Sequence, residues 1–224
     1  MKVLGLIPAR GGSQTIKRKN MIDLGGVPLI EWTIKASLDA SLSRVIVSTD
    51  DQEIADFSKK IGCEVPFIRP SALATGSALA IDVINHALDA LDEEFDAVMM
   101  LQPTTPFRTK EDIEQSIEII EDASSVISVV AVDGAHPARM KYIEEGSLID
   151  PPFAEKIENM PRQELRQVFI RNGAIYLTKV QYLREMTFKG PKSKALIMPP
   201  ERSVNIDSEF DLRVARAIFA TKAD

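Results

Sequence analysis

Val3-Leu4-Gly5-Leu6-Ile7-Pro8 runs straight into Ala9-Arg10-Gly11-Gly12-Ser13. A short apolar run bounded by proline and glycine reads as a buried strand followed by a tight turn. The same kind of segment recurs at Arg44–Thr49, Glu64–Ile68, Asp96–Leu101 and Val126–Val132, each rich in Val, Ile, Leu or Met. Between these segments Ile54, Phe57 and Ile61 step by three and four, as do Ile81, Ile84, Leu88 and Leu91, then Ile113, Ile117 and Ile120. That is the spacing of one helical face. Strands alternating with amphipathic helices predict βαβ crossovers and a doubly wound, mostly parallel sheet with helices on both faces. Ligands of such sheets bind beyond the carboxyl ends of the strands, which is where the glycine turn after Pro8 falls.

The pattern breaks from Asp133 to Arg166, where His136-Pro137, Asp150-Pro151-Pro152 and Pro161 interrupt a polar stretch with no sustained helical period. Long irregular insertions serve function or partner contacts. The α/β pattern resumes with an apolar strand at Phe169–Thr178, a helical stretch near Lys179–Glu185, a short strand at Ala195–Met198 and a last helix from about Ser208. The expected organisation is one domain over 1–224, with 133–166 as an extension.

Composition bounds the chemistry. The 224 residues are 45% hydrophobic, which suits one substantial core, and 33 acidic against 27 basic residues leave a net charge of −6. That balance argues against a nucleic-acid or anionic-membrane surface. One cysteine, Cys63, and two histidines, His86 and His136, exclude a disulfide framework, a zinc ribbon and a Cys/His metal cluster, so any metal must have oxygen ligands. Val3–Pro8 is too short for the core of a signal peptide and no run of about 18 apolar residues exists, so a cytoplasmic protein with no membrane span is expected.

Four segments carry polar groups where chemistry can use them. Four of the eleven residues from Arg10 to Asn20 are basic, namely Arg10, Lys17, Arg18 and Lys19, in an otherwise acidic chain. Backbone amides at Gly11, Gly12 and Ser13 can cradle phosphate, and this position after the first strand favours phosphate binding over a solvated basic turn. Gln102-Pro103-Thr104-Thr105-Pro106-Phe107-Arg108 follows the most apolar strand; its prolines hold amide and hydroxyl groups for a substrate with many oxygens, while Thr104 or Thr109 can cap the helix near Lys110. Arg171-Asn172-Gly173 interrupts an apolar strand either as a substrate contact or as a bulge. Asn205 and Asp207 face the same way on an extended chain and can hold a hard cation such as Mg²⁺, or Asp207 or Ser208 can cap the last helix with Asp211 in its first turn. His86, His136 and Cys63 read as packed or surface residues rather than catalytic ones.

Taken together, IPARGGSQTIKRKN, VIVSTDDQEIADFSKKIG, LQPTTPFR, RNGAIY and NIDSEFDL resemble the acylneuraminate cytidylyltransferase family, in order and spacing, from Val3 to Leu212. The resemblance implies a Rossmann-like sheet of the nucleotidyltransferase type and a homodimer in which residues 133–166 of one subunit reach the other's active site. It implies CTP and a sugar acid as substrates, with a CMP-sugar and pyrophosphate as products. Arg10, Gly11, Gly12 and Ser13 would meet the phosphates, Lys19 and Asn20 would lie close to the nucleotide, and Arg69 would lie near the cytidine. Arg10, Lys19 and Asp207 would be the catalytic set, Gln102, Pro103 and Thr104 with Arg171 and Asn172 the sugar site, Arg162 a basic residue given across the dimer, and Asp207 with Asn205 the magnesium site.

Three positions depart from the family's pattern. Gln14 replaces a lysine expected beside the phosphates, with Lys17 near enough in sequence to substitute; Asn205 replaces one of two metal carboxylates; and Arg171 lies next to Asn172 rather than two residues before it. The main expectation is a sialic-type acid as acceptor. The alternatives are 3-deoxy-manno-octulosonate as acceptor, or a catalytically impaired nucleotide-binding homologue serving as a partner or regulator. The sequence names no general base.

Overall fold

The computed structural model describes residues 1–13 and 15–222, so Gln14 lies outside the described residues. In chain order the elements are β1 Val3–Pro8, β2 Asp23–Leu24, β3 Val27–Pro28, α1 Leu29–Leu38, β4 Arg44–Ser48, α2 Gln52–Lys60, α3 Ala80–Ala90, β5 Ala97–Met100, α4 Lys110–Ile119, β6 Ser125–Ala131, β7 Tyr142–Glu144, β8 Ser147–Ile149, β9 Phe169–Lys179, α5 Val180–Arg184, β10 Ser193–Ile197 and α6 Glu209–Lys222. Six strands form one sheet in the order β10-β6-β9-β5-β1-β4. β1 runs parallel to β4 and β5, β10 runs parallel to β6, and β9 is antiparallel to both its neighbours. The chain leaves β1 toward β4 on one side and leaves β5 toward β6 on the other, so a crevice opens between the carboxyl ends of β1 and β5.

Alternation along the strands sorts the core into two layers. Val3 and Ile7 of β1, with Ala97 and Met99 of β5, pack on Ile30 and Ile34 of α1, Ile54 of α2 and Ile113 of α4. The intervening Leu4, Leu6, Val98 and Met100 pack on Ile81 and Ile84 of α3 and Leu183 of α5. Burying a side chain of this size stabilises the fold by about 1.5–3 kcal/mol. A third cluster joins Ile16, Leu24, Leu29, Phe107, Ile206 and Leu212. It has a direct consequence for the crevice, because it seats the segment before α6 against the loop after β1.

The doubly wound, mostly parallel sheet is the one expected, with four differences. Glu64–Ile68 is not a strand: only Glu64 and Ile68 touch the sheet edge, as single bridges to Ile46 and Thr49, and Pro66 between them has no amide to continue a ladder. Helix α1 went unread although Leu29, Ile30 and Ile34 are its buried face. The 133–166 insertion holds the β7–β8 hairpin, closed by Glu145 and Gly146, whose φ angles of 48° and 82° suit a two-residue turn of left-handed residues. Ile61 and Leu91 fall just past their helices, α2 stopping at Gly62 with φ 88°. Among the described residues no helix is long and apolar enough to cross a membrane.

Candidate active site

A cavity of about 360 Å³ occupies the crevice, with Pro8 and Met100 from the ends of β1 and β5 in its wall. The loop after β1 supplies Arg10, Ser13, Lys19 and Asn20. Arg10 Nη1 donates to the Thr75 carbonyl at 2.8 Å, and Asn20 Nδ2 donates to the Arg10 carbonyl at 2.9 Å, so the loop is braced from both sides. Gly11 is needed for close approach rather than for a special φ: a Cβ there would lie 2.5 Å from Asp51 Oδ2. Its amide donates to Asp50 Oδ1 at 3.1 Å, and the same oxygen lies 3.6 Å from Arg69 Nη2. Arg69 is buried, and burial lowers its pKa, opposed by Asp50 and reinforced by the nearby positive charge of Arg10. Its Nε has no partner among the described residues while the side chain lines the cavity.

A second wall, from the loop after β5, is neutral and oxygen-rich. Gln102, Pro103 and Thr104 line it, on a turn closed by the Thr105 amide donating to the Gln102 carbonyl at 3.3 Å. Arg108, fully buried, also donates to that carbonyl through Nη2, and donates to Thr33 Oγ1 through Nη1 at 2.7 Å. Burial pulls its pKa down to about 9 against the pull of Asp112, which leaves the guanidinium charged at neutral pH. Gly173, with φ 81°, packs beneath the turn, where a Cβ would lie 2.9 Å from Gln102 Oε1 and 3.2 Å from Thr105 Oγ1. Of the two alternatives posed for RNG the structure carries the bulge, the β6–β9 register slipping between Ile127 and Val129, while the close approach at Gly173 is to the Gln102 and Thr105 side chains.

The C-terminal segment closes the site. The Ile206 amide donates to the Thr104 carbonyl at 2.7 Å. Lys19 Nζ donates to Asp207 Oδ1 and to the Ile206 carbonyl, both at 2.9 Å, and Asn205 Nδ2 donates to Asp207 Oδ2. Asp207 and Asn205 therefore face one cavity, as the alternation predicts. The capping alternative holds for Ser208, with Asp211 in the first turn of α6: the Asp211 carboxylate accepts from the Ser208 amide at 2.7 Å and the Asp211 amide donates to Ser208 Oγ at 3.3 Å.

No group of three or more His, Cys, Asp or Glu that could hold a metal occurs among the described residues. The donors here are one carboxylate, Asp207, and one amide oxygen, Asn205 Oδ1, which is buried without a partner. A half-turn of that amide would bring Oδ1 to the Asp207 side, so that Asp207 and Asn205 would offer two hard oxygens to a cation. This donor set fits Mg²⁺, which seldom uses an all-protein cage.

The sequence matches the cytidylyltransferase family over residues 4–146. The chain belongs to that family. It is accordingly a nucleotidyltransferase. Among its curated relatives are the CMP-N,N'-diacetyllegionaminic acid synthase of Legionella pneumophila, 35% identical over 94% of this chain and 93% of that protein. The pseudaminic acid cytidylyltransferase of Campylobacter jejuni is 32% identical over 98% and 97%. The N-acylneuraminate cytidylyltransferase of Escherichia coli is 30% identical over 99% of this chain and 53% of that protein. Among solved structures, the CTP complex of CMP:2-keto-3-deoxy-manno-octonic acid synthetase superposes with a TM-score of 0.76 at 16% identity, over 99% of this chain and all of that one, which shows a shared fold.

In this cytidylyltransferase the cavity gathers Arg10, Ser13, Lys19, Asn20, Arg69, Gln102, Pro103, Thr104, Asn205 and Asp207. Gly11 and Gly12 lie in the adjoining loop rather than in the wall. Asn172 lies elsewhere: it is buried, its Oδ1 accepting from Ser128 Oγ at 2.6 Å and its Nδ2 donating to Ser203 Oγ at 2.9 Å, so it braces the strand behind the C-terminal segment. Arg171 is exposed on β9 opposite Val129. Arg162 sits in the insertion, ion-paired with Asp133 and outside the cavity of its own chain. Lys17 is exposed and is not among the lining residues. Sequence reasoning passed over Asp50, Arg108 and the Leu73–Val83 side of the cavity. The doubled aspartate after β4 was a usable signal for the first; the small uncharged residues of the last gave none.

Proposed function

We propose that this cytidylyltransferase joins CTP to a nonulosonic acid, a nine-carbon 2-keto-3-deoxy sugar acid, releasing pyrophosphate and a CMP-sugar. One observation carries the reading: a wall of cations, Arg10, Lys19 and Arg69, and a neutral hydrogen-bonding wall, Gln102 and Thr104, line one cavity together with Asp207. The first wall suits a triphosphate and the second a polyhydroxylated acid. The relatives named for legionaminic, pseudaminic and N-acylneuraminic acids support the nine-carbon class, whereas the octulosonate enzyme supports the fold alone.

In the proposed reaction the anomeric hydroxyl attacks the α-phosphorus and pyrophosphate leaves on the opposite side. The protein's task is to align the two substrates and to neutralise developing charge. Arg10 binds phosphate oxygens, Arg69 lies near the cytidine, Lys19 turns from Asp207 toward the phosphates, and Gln102 with Thr104 orients the acid. A bound Mg²⁺ at Asp207 and Asn205 would supply further charge neutralisation on the phosphates.

The working form we propose is a homodimer in the cytoplasm, where the nucleoside triphosphates are. Ile143 and Leu148 on the β7–β8 hairpin are 75% and 72% exposed, with Phe153, Ile157 and Ile170 also bare. So much apolar surface on the extension and the adjoining start of β9 calls for a cover, and a second copy would bring Arg162 toward the neighbouring sugar site. Pyrophosphate release is the test, measured with CTP, UTP and ATP across a panel of eight- and nine-carbon 2-keto-3-deoxy acids. Release that needs both CTP and a nine-carbon acid supports the reading; preference for the octulosonate or for another nucleotide overturns it.

A further inference from the structure

Arg108 is a buried cation that the reaction described above leaves without a task. Both of its terminal nitrogens are used, one on Thr33 Oγ1 and one on the Gln102 carbonyl, and its Nε has no partner among the described residues. No described carboxylate lies within ion-pairing distance of it. Asp112, the acid that acts on its charge, is taken by Arg202 at 2.8 Å and by the Thr109 amide at 2.9 Å. A charge held in this way is costly to a fold. The Gln102 carbonyl does not need it, since the Thr105 amide already donates there. What the guanidinium adds is a rigid fork from helix α1 to the substrate-facing turn, with a positive charge directly beneath the wall that would receive an anionic acid.

We propose that Arg108 is a positioning residue for the acceptor: it holds the Gln102–Thr105 turn, and through it the Ile206 amide on Thr104, in the conformation that binds the sugar acid. The proposal rests on the function proposed above for the acid substrate. Its structural part stands without that function. The guanidinium ties the turn to α1 from below, Thr105 Oγ1 ties it to the Asn172 carbonyl at 3.1 Å, and Ile206 ties it to the segment that carries Asp207. Lysine at 108 cannot span Thr33 and Gln102 at once, because an ammonium lacks the planar fork.

The test uses Arg108→Lys, with Thr33→Val as a gentler variant that keeps side-chain shape and leaves every cavity residue in place. In Arg108→Lys the KM for the acid is expected to rise about tenfold and the KM for CTP to change less than about twofold. Thr33→Val should move the same way by about threefold, and Thr33→Ser should restore the wild-type value. Hydrogen exchange of the Thr105 and Ile206 amides should quicken about tenfold in Arg108→Lys while amides of β1 keep their wild-type rates. A loss confined to kcat, an equal rise in both KM values, or unchanged exchange at Thr105 and Ile206 would overturn the proposal. If the wild-type protein turns over no sugar acid, the functional reading fails, and the exchange rates still decide whether Arg108 holds the turn.

Discussion

Lys19 Nζ lies 2.9 Å from Asp207 Oδ1, joining the loop after the first strand to the segment before the last helix, 188 residues away. Lys19 is the sheltered partner, its side chain 12% exposed against 65% for Asp207. The pair cancels charge until a substrate arrives, so each residue has a second state to move into. Lys19→Met should lower kcat/KM by about 100-fold or more, since a cation aimed at developing phosphate charge is worth several kcal/mol. Equal activity in the variant, by steady-state pyrophosphate release, would remove Lys19 from the chemistry.

The proposed Mg²⁺ site makes Asn205 and Asp207 the residues that would set a metal requirement. Asn205→Asp adds a carboxylate and should lower the Mg²⁺ concentration for half-maximal activity by about tenfold, because cation affinity follows ligand charge. Asp207→Ala should raise it by at least as much and depress the maximal rate. Titrating Mg²⁺ into both variants at saturating CTP checks the pair, and a shared unchanged midpoint would place the cation elsewhere.

Gly173 is held at φ 81° under Gln102 Oε1. Gly173→Ala forces a Cβ into a left-handed residue and should cost about 1–2 kcal/mol of stability. Because the new methyl pushes on Gln102, the KM for the acid should rise with it. Urea unfolding and acid titrations measure the two effects separately. Gly134→Ala is the control, for a Cβ at Gly134 meets nothing within 4 Å.

The β7–β8 hairpin gives the proposed dimer its simplest test. Ile143→Asp combined with Leu148→Asp should convert a particle of two 24.8 kDa chains into one, by light scattering. Activity should fall with it as Arg162 is withdrawn. A fully active monomer would contradict a shared site.

Cys63 is buried, and burial first, then the Glu64 charge, pushes its thiol up to about 12 from an ordinary 9.0. The folded protein therefore keeps a proton that the unfolded chain loses between these values, so stability falls as pH rises through that window. At pH 10.5 the loss from this group should be about 1–2 kcal/mol relative to pH 8, and it should vanish in Cys63→Ala. The native thiol should also resist alkylation at pH 8 until denaturant is added.

The parallel sheet was legible because its strands are buried on both faces and read as unbroken apolar runs, as in Val3–Pro8 and Ala97–Met100. Cavity residues were legible where charge or turn chemistry marked them, as at Arg10, Lys19, Gln102 and Asp207. Helix α1 was hidden by its position, beginning directly after Pro28 of a two-residue strand with no polar cap to announce it. Asn172 misled because a buried amide that satisfies Ser128 and Ser203 has the same sequence signature as one that meets a ligand. Arg108 could not be read at all from the chain: its partner on α1, Thr33, is 75 residues away and only the folded packing brings the two together.

The phosphorus spectrum of a reaction containing CTP, Mg²⁺ and a nonulosonic acid tests the central claim most directly. The account predicts loss of the three triphosphate resonances, with one phosphodiester signal for the CMP-sugar and one for pyrophosphate growing in equal molar amounts, and neither in Asp207→Ala. Inorganic phosphate and CDP in place of that pair, or no change with any nine-carbon acid, would contradict it.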